Sequence, residues 1–89
     1  MTVTTKSAIA NLTDDLPNLQ EGNSSVAVAI LQQLLILEGY GANLPVTGFF
    51  GDETNTAVLN FQQAMGLQQD GIVGPDTWNV LAQFSTYGD

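Results

Sequence analysis

At 89 residues the chain is long enough for one domain and too short for two, because a chain of this size buries only about 60 to 65% of its unfolded surface and can build a single core. Apolar residues make up 44% of it and charged residues 11%, the balance of a folded globule rather than a solvated tail. Nine acids face one base, Lys6, for a net charge of -8, so no basic surface exists to neutralise phosphates, and nucleic acid and anionic membrane are poor partners.

The missing residue types narrow the chemistry further. Without Cys or His there is no thiol nucleophile, no imidazole base and none of the common zinc sites, so neither metal nor cofactor is expected. Residues 1–12 lack the basic start and continuous apolar stretch of a signal peptide. The longest apolar run, Val26–Leu37, is interrupted by Gln32 and Gln33 and is too short to span a bilayer.

In chain order, residues 1–18 are rich in Thr, Asp and Asn without periodicity and read as a tail or linker, with the folded unit at 19–85 and a short tail at 86–89. A first helix is predicted from an N-cap at Ser24 or Ser25 to Glu38, ended by Gly39. Val28, Leu31, Leu34 and Leu35 form its inner face, and Val26, Ile30, Ile36 and Leu37 widen the apolar arc so far that the helix should be buried on more than one side. A second, over 52–65, carries Ala57, Val58, Phe61, Ala64 and Met65 on one stripe and stops at Gly66. A third, over 75–84, opens with Pro75 and Asp76, which suit a first helical turn, and turns Trp78, Leu81 and Phe84 inward. The expected core is Val28, Leu31, Leu35, Val58, Phe61, Ile72, Trp78 and Leu81, in an all-α, compact three-helix bundle.

An internal repeat joins these helices. Gly48, Gly51 and Thr54 recur 23 residues later as Gly71, Gly74 and Thr77, and Val28, Leu31, Gln32 and Gln33 recur 30 residues later as Val58, Phe61, Gln62 and Gln63. Each Gly-x-x-Gly-x-x-Thr copy places glycines directly before a helix start, where the backbone must turn tightly. The threonines are expected to bond a free backbone group in the first turn, and both Gln pairs to be largely solvated faces. Neither copy has the Gly-Lys-Ser/Thr of a phosphate loop.

The ordered series Gly22, Val28, Leu31-Gln32, Leu35, Gly39-Tyr40, Gly48-Phe49-Phe50-Gly51, Thr54, Ala57-Val58, Phe61-Gln62, Gly66-Leu67, Asp70 through Pro75, Thr77-Trp78 and Leu81 resembles the bacterial peptidoglycan-binding domain family of the three-helix type. Thr47 departs from it where an Asp often precedes the first Gly-x-x-Gly, as do Ser25 in place of Gly and Glu38 in place of Leu. The resemblance implies a non-catalytic module, a monomer without a cofactor, held on peptidoglycan through glycan or stem peptide and serving a linked hydrolase in the cell envelope or outside the cell. The alternative is a helical protein-interaction or pro-domain-like unit, since similar three-helix units precede some metalloproteases, although the cysteine that blocks zinc there has no counterpart here.

Candidate ligand-binding residues are Tyr40, Phe49, Phe50, Asp70, Gly71, Ile72 and Trp78. Tyr40 can pack its ring and still present its hydroxyl. Phe49 and Phe50 are adjacent, so one should point differently from the other, and an exposed one would be a platform. Asp70 either caps its own turn by an Asx-type bond or accepts from a ligand amine. Trp78 is favoured as core by its spacing with Leu81. A glycosidase pair such as Asp52 with Asp70 lacks the deep cleft that separates two carboxyl pKa values.

Overall fold

In a computed structural model that describes residues 16–85, three helices follow one another: α1 (Val26–Leu37), α2 (Asp52–Ala64) and α3 (Pro75–Ser85). The expectations for residues 1–15, for residues 86–89 and for the side chain of Phe84 lie outside the described residues. Ser25 is the N-cap of α1, its hydroxyl accepting from the Val28 amide at 3.2 Å. Asp52 and Glu53 occupy the first turn of α2, and Asp76 that of α3, where the positive end of the helix dipole favours a carboxylate. Both α2 and α3 follow a tight turn, at Gly48 with φ 81° and at Gly71 with φ 75°, backbone that glycine alone adopts without strain.

The core is built from α1, α2 and α3 together with two short extended segments. Val28, Leu31, Leu35, Val58, Phe61, Trp78 and Leu81 are all at most 2% exposed, as expected. Ile72 is not among them: it is 38% exposed, and Val73 is buried in its place. The reason is an antiparallel bridge in which Val73 and Leu19 exchange amide bonds of 3.0 and 2.8 Å. Successive side chains on extended backbone point to opposite sides, so turning Val73 in turns Ile72 out. The same alternation decides between the adjacent phenylalanines. Phe50 is bonded to Gly22 and Asn23 and is buried, while Phe49 is 52% exposed.

Two further expectations are corrected. The helix α1 is not buried on more than one side, because Val26, Ile30 and Leu37 are 77, 47 and 65% exposed; α2 and α3 both pack on its other face. Gln32 and Gln62 are not solvated but 1% exposed each, while Gln33 and Gln63 do face solvent. The Gln32 Oε1 accepts from the amides of Thr47 at 2.9 Å and Gly48 at 3.0 Å, and its Nε2 donates to Phe49 O at 2.9 Å and Thr54 Oγ1 at 3.0 Å. That fills all four hydrogen-bonding positions of the amide.

Gln62 does the same work in the second copy. Its Oε1 accepts from the Gly71 amide at 3.0 Å, and its Nε2 donates among Ile72 O at 2.9 Å, Asp70 Oδ1 at 3.1 Å and Thr77 Oγ1 at 3.2 Å. The threonines of the repeat therefore serve the glutamine and not, as expected, a free backbone group. At the N-terminal side, contacts cross the expected boundary between 18 and 19: Leu16 lies against the core and Trp78 Nε1 donates to Pro17 O at 2.9 Å.

The turn at residues 20–23 sets the Glu21 carboxyl beside that of Asp52 at the start of α2. A hydrogen bond to Asp52, with desolvation and the charge of Asp52 acting the same way, raises the Glu21 carboxyl above the ordinary glutamate range. A folded-state pKa above the unfolded one means that the folded chain binds the proton more tightly. The pair is then least favourable when Glu21 is ionised, and stability from this source increases as pH falls through the raised value towards the unfolded glutamate value of about 4.3.

Three outcomes follow from this architecture. Phe61→Ala should cost about 3 to 5 kcal/mol, comparable with the whole stability of a small domain at about 5 kcal/mol, and urea or thermal melting will show whether most molecules unfold. Gln62→Leu strands the Gly71 amide and the Ile72 carbonyl, and should cost at least about 2 kcal/mol despite its added apolarity; a melt matching the parent would mean the amide contributes nothing. Glu21→Gln should melt above the parent at neutral pH, with the gap closing as the buffer is acidified into the glutamate range. A gap that widens on acidification has the wrong sign for a repelling pair.

Candidate functional site

With the two glycine turns clamped from below, their outer faces form shallow clefts. The first, of about 450 Å³, is lined by Gln32, Pro45, Thr47, Phe49, Asp52 and Glu53 among others. Its counterpart in the second copy, of about 130 Å³, is lined by Gln62, Gln68, Asp70, Ile72, Asp76 and Thr77 among others. The linings correspond through the repeat: Gln32 with Gln62, Thr47 with Asp70, Phe49 with Ile72, Thr54 with Thr77. A third depression, also of about 450 Å³, adjoins the first and is bordered by Ser24, Ser25, Val26, Ala29 and Phe49.

The site residues expected from the sequence separate into groups. Phe49 is exposed and stands between two of the clefts. Asp70 and Ile72 are exposed in the other. Tyr40 lines none of the three; it is half-buried at the end of α1, with its ring edge-on to Phe61 at a centroid distance of 5.4 Å and 85° between planes. Phe50 and Trp78 lie in the core, at 0 and 2% exposure, Trp78 as its spacing with Leu81 predicts; the bridge at residues 24 and 49 and the Pro17 bond hold them inward. Gly71 is buried and its amide is taken by Gln62, as that of Gly48 is by Gln32, so neither glycine amide is left for a ligand.

Asp70 closes its own turn. Its Oδ1 accepts from the Ile72 amide at 2.9 Å, the Asx-type bond expected of it. Thr47 makes the matching bond in the first copy, its Oγ1 accepting from the Phe49 amide at 3.1 Å, so the departure at that position changes the residue and keeps the turn. Among the described residues no three Asp, Glu, Cys or His side chains stand together as a metal site, and no helix is long and apolar enough to cross a membrane.

The glutamines were missed as functional positions, although a signal for them existed. They recur 30 residues apart whereas the loops recur 23 apart. Each follows a core side chain, Leu31 or Phe61, by one residue, so each lies at the edge of an inner face, next to the following loop.

The pattern of the family described as "Putative peptidoglycan binding domain" matches residues 24–81. The chain is 47% identical over 66 residues to a zinc D-Ala-D-Ala carboxypeptidase of Streptomyces albus G, covering 73% of this chain and 26% of that protein. It superposes with a TM-score of 0.74 and 38% identity on a peptidoglycan-binding protein of Clostridioides difficile, crystallised with glutamine hydroxamate, covering 81% of this chain and 43% of that one. With the SleB N-terminal domain the TM-score is 0.73 at 35% identity, covering 76% of this chain and 92% of that domain. The chain thus spans about a quarter of the carboxypeptidase it matches. With the family pattern spanning well over half its length and its fold matching most of a solved domain, the chain belongs to the peptidoglycan-binding domain family.

Proposed function

We propose that the unit at 19–85 is a non-catalytic, monomeric module that attaches to peptidoglycan in the cell envelope or outside the cell and holds a linked wall-active enzyme against its substrate. The observation that carries this reading is Phe49, an aromatic ring half exposed between two open depressions on a clamped loop. An aromatic ring exposed beside a concave surface offers apolar area that a ligand can cover. The share of the relatives that the chain spans supports a tethered role. Tethering raises the local concentration of substrate even when the module itself binds weakly.

Catalysis is not supported by the same surface. The sequence has no His and no Cys, and the clefts are shallow and open rather than the deep site that sets two carboxyl groups apart for glycoside cleavage. One observation favours a second reading, as a protein-docking unit: the exposed side chains of Val26, Ile30 and Leu37 along α1.

Sedimentation with purified insoluble peptidoglycan, with a non-binding protein of similar charge as control, tests the proposal. Retention is expected for this chain alone, and no soluble muropeptides should be released. Because the net charge of -8 contributes mainly repulsion from anionic wall polymers, retention at about 0.5 M salt should equal or exceed that at about 0.05 M, where the screening length is roughly threefold longer. A collapse of retention in high salt would show that ion pairs by carboxylates such as Asp70 carry the binding.

A further inference from the structure

Resting on the wall-attachment reading, we infer that the ligand is the glycan strand and not the stem peptide, and that it binds across Phe49 with the carbon-rich face of an N-acetylated amino sugar on the aromatic ring. The ring is presented rigidly. The Phe49 carbonyl accepts from Gln32 Nε2 at 2.9 Å and its amide donates to Thr47 Oγ1 at 3.1 Å, so both backbone groups of the residue are fixed by the clamp. Gly51 lets the ring lie against the chain: a Cβ there would come within 3.0 Å of Phe49 Cε2 and 3.3 Å of Cδ2. A platform held by the backbone loses little freedom when a ligand settles on it.

The polar groups around the ring fit a sugar. Asp52 and Glu53 border the cleft on one side of Phe49, and Ser24 and Ser25 border the depression on the other. Sugar hydroxyls and acetamide N–H groups are donors that carboxylates accept, and the faces of a pyranose carry the C–H groups that stack on an aromatic ring. No Lys or Arg occurs among the described residues, so the free carboxylates of a stem peptide find no cation here and meet only like charge, a cost that a neutral sugar does not carry. The second copy lacks the platform. Ile72 takes the place of Phe49, and its cleft is less than a third as large, about 130 against about 450 Å³.

The test is an amide-resolved NMR titration of the 89-residue chain with two probes, an N-acetylglucosamine tetramer and a soluble stem tetrapeptide. It runs beside sedimentation with whole peptidoglycan. The tetramer should shift the signals of residues 47–54 and 24–26, and the tetrapeptide should leave them in place. Phe49→Ala, whose exposed ring can be removed with the far-ultraviolet helical signal intact, should weaken tetramer binding roughly tenfold, and Gln33→Ala, on the solvent face of α1 and outside the three clefts, should stay within about twofold of the parent. Gly51→Ala keeps the ring but displaces it, and should weaken binding as well. Wall retention without any response to the tetramer, saturation by the tetrapeptide, or a folded Phe49→Ala that binds like the parent each overturns the inference and leaves attachment standing. Tetramer binding without wall retention removes the attachment reading and keeps the sugar site; no binding to any of the three removes both.

Discussion

A primary amide buried under each glycine turn governs the arrangement of everything that faces solvent above it. Taking a glutamine side chain out of water costs free energy unless its hydrogen bonds are replaced, and the backbone groups of a tight turn have the same requirement. In each copy of the repeat the two needs are met together. The carbonyl of the glutamine takes one or two turn amides, and its NH2 group reaches a turn carbonyl and the threonine of the next helix. One side chain thereby fastens the end of a loop to the helix before it and to the helix after it. Because the glutamine amides themselves are buried, a bond left unmade is expensive, and this favours a single conformation of the turn.

The two copies share this clamp and differ above it for a reason of chain length. Sixteen residues separate Gln32 from Gly48 and nine separate Gln62 from Gly71, so the first connection is seven residues longer. The extra length carries Leu44, which joins the core, and Pro45, which becomes a wall of the larger cleft. In the shorter connection Gln62 Oε1 takes only the Gly71 amide, since the Asp70 amide turns to Gln68 O at 3.0 Å. The Asp70 carboxylate then becomes a further acceptor for the glutamine. The same framework is thus used twice, once with an aromatic rim and a hydroxyl turn, once with an aliphatic rim and a carboxylate turn.

Much of this was legible from residue order. Helix limits followed from Ser25, Gly39, Gly66 and Pro75, residues whose effect on the backbone is local and does not need the rest of the fold. The core positions at helical spacing, Leu31 and Leu35, Phe61, Trp78 and Leu81, were legible for the same reason. The candidate site was legible only in part. The sequence singled out Phe49 and Asp70 along with Phe50 and Trp78, and nothing in composition distinguishes an exposed ring from a buried one.

What the sequence by itself determined was the number of helices, their caps, the repeat and the family to which the chain belongs, all of which rest on near-neighbour chemistry or on ordered spacing. The tertiary structure alone decided which of two adjacent side chains turns inward. Phe50 over Phe49 and Val73 over Ile72 were set by pairing with residues 19–24, far off in the chain, and one residue of slip would have reversed both. It also decided that Gln32 and Gln62 are interior. A glutamine beside a core position can equally face water, and only the arrival of a glycine turn with unpaired amides, brought across by the fold, makes burial the lower free energy.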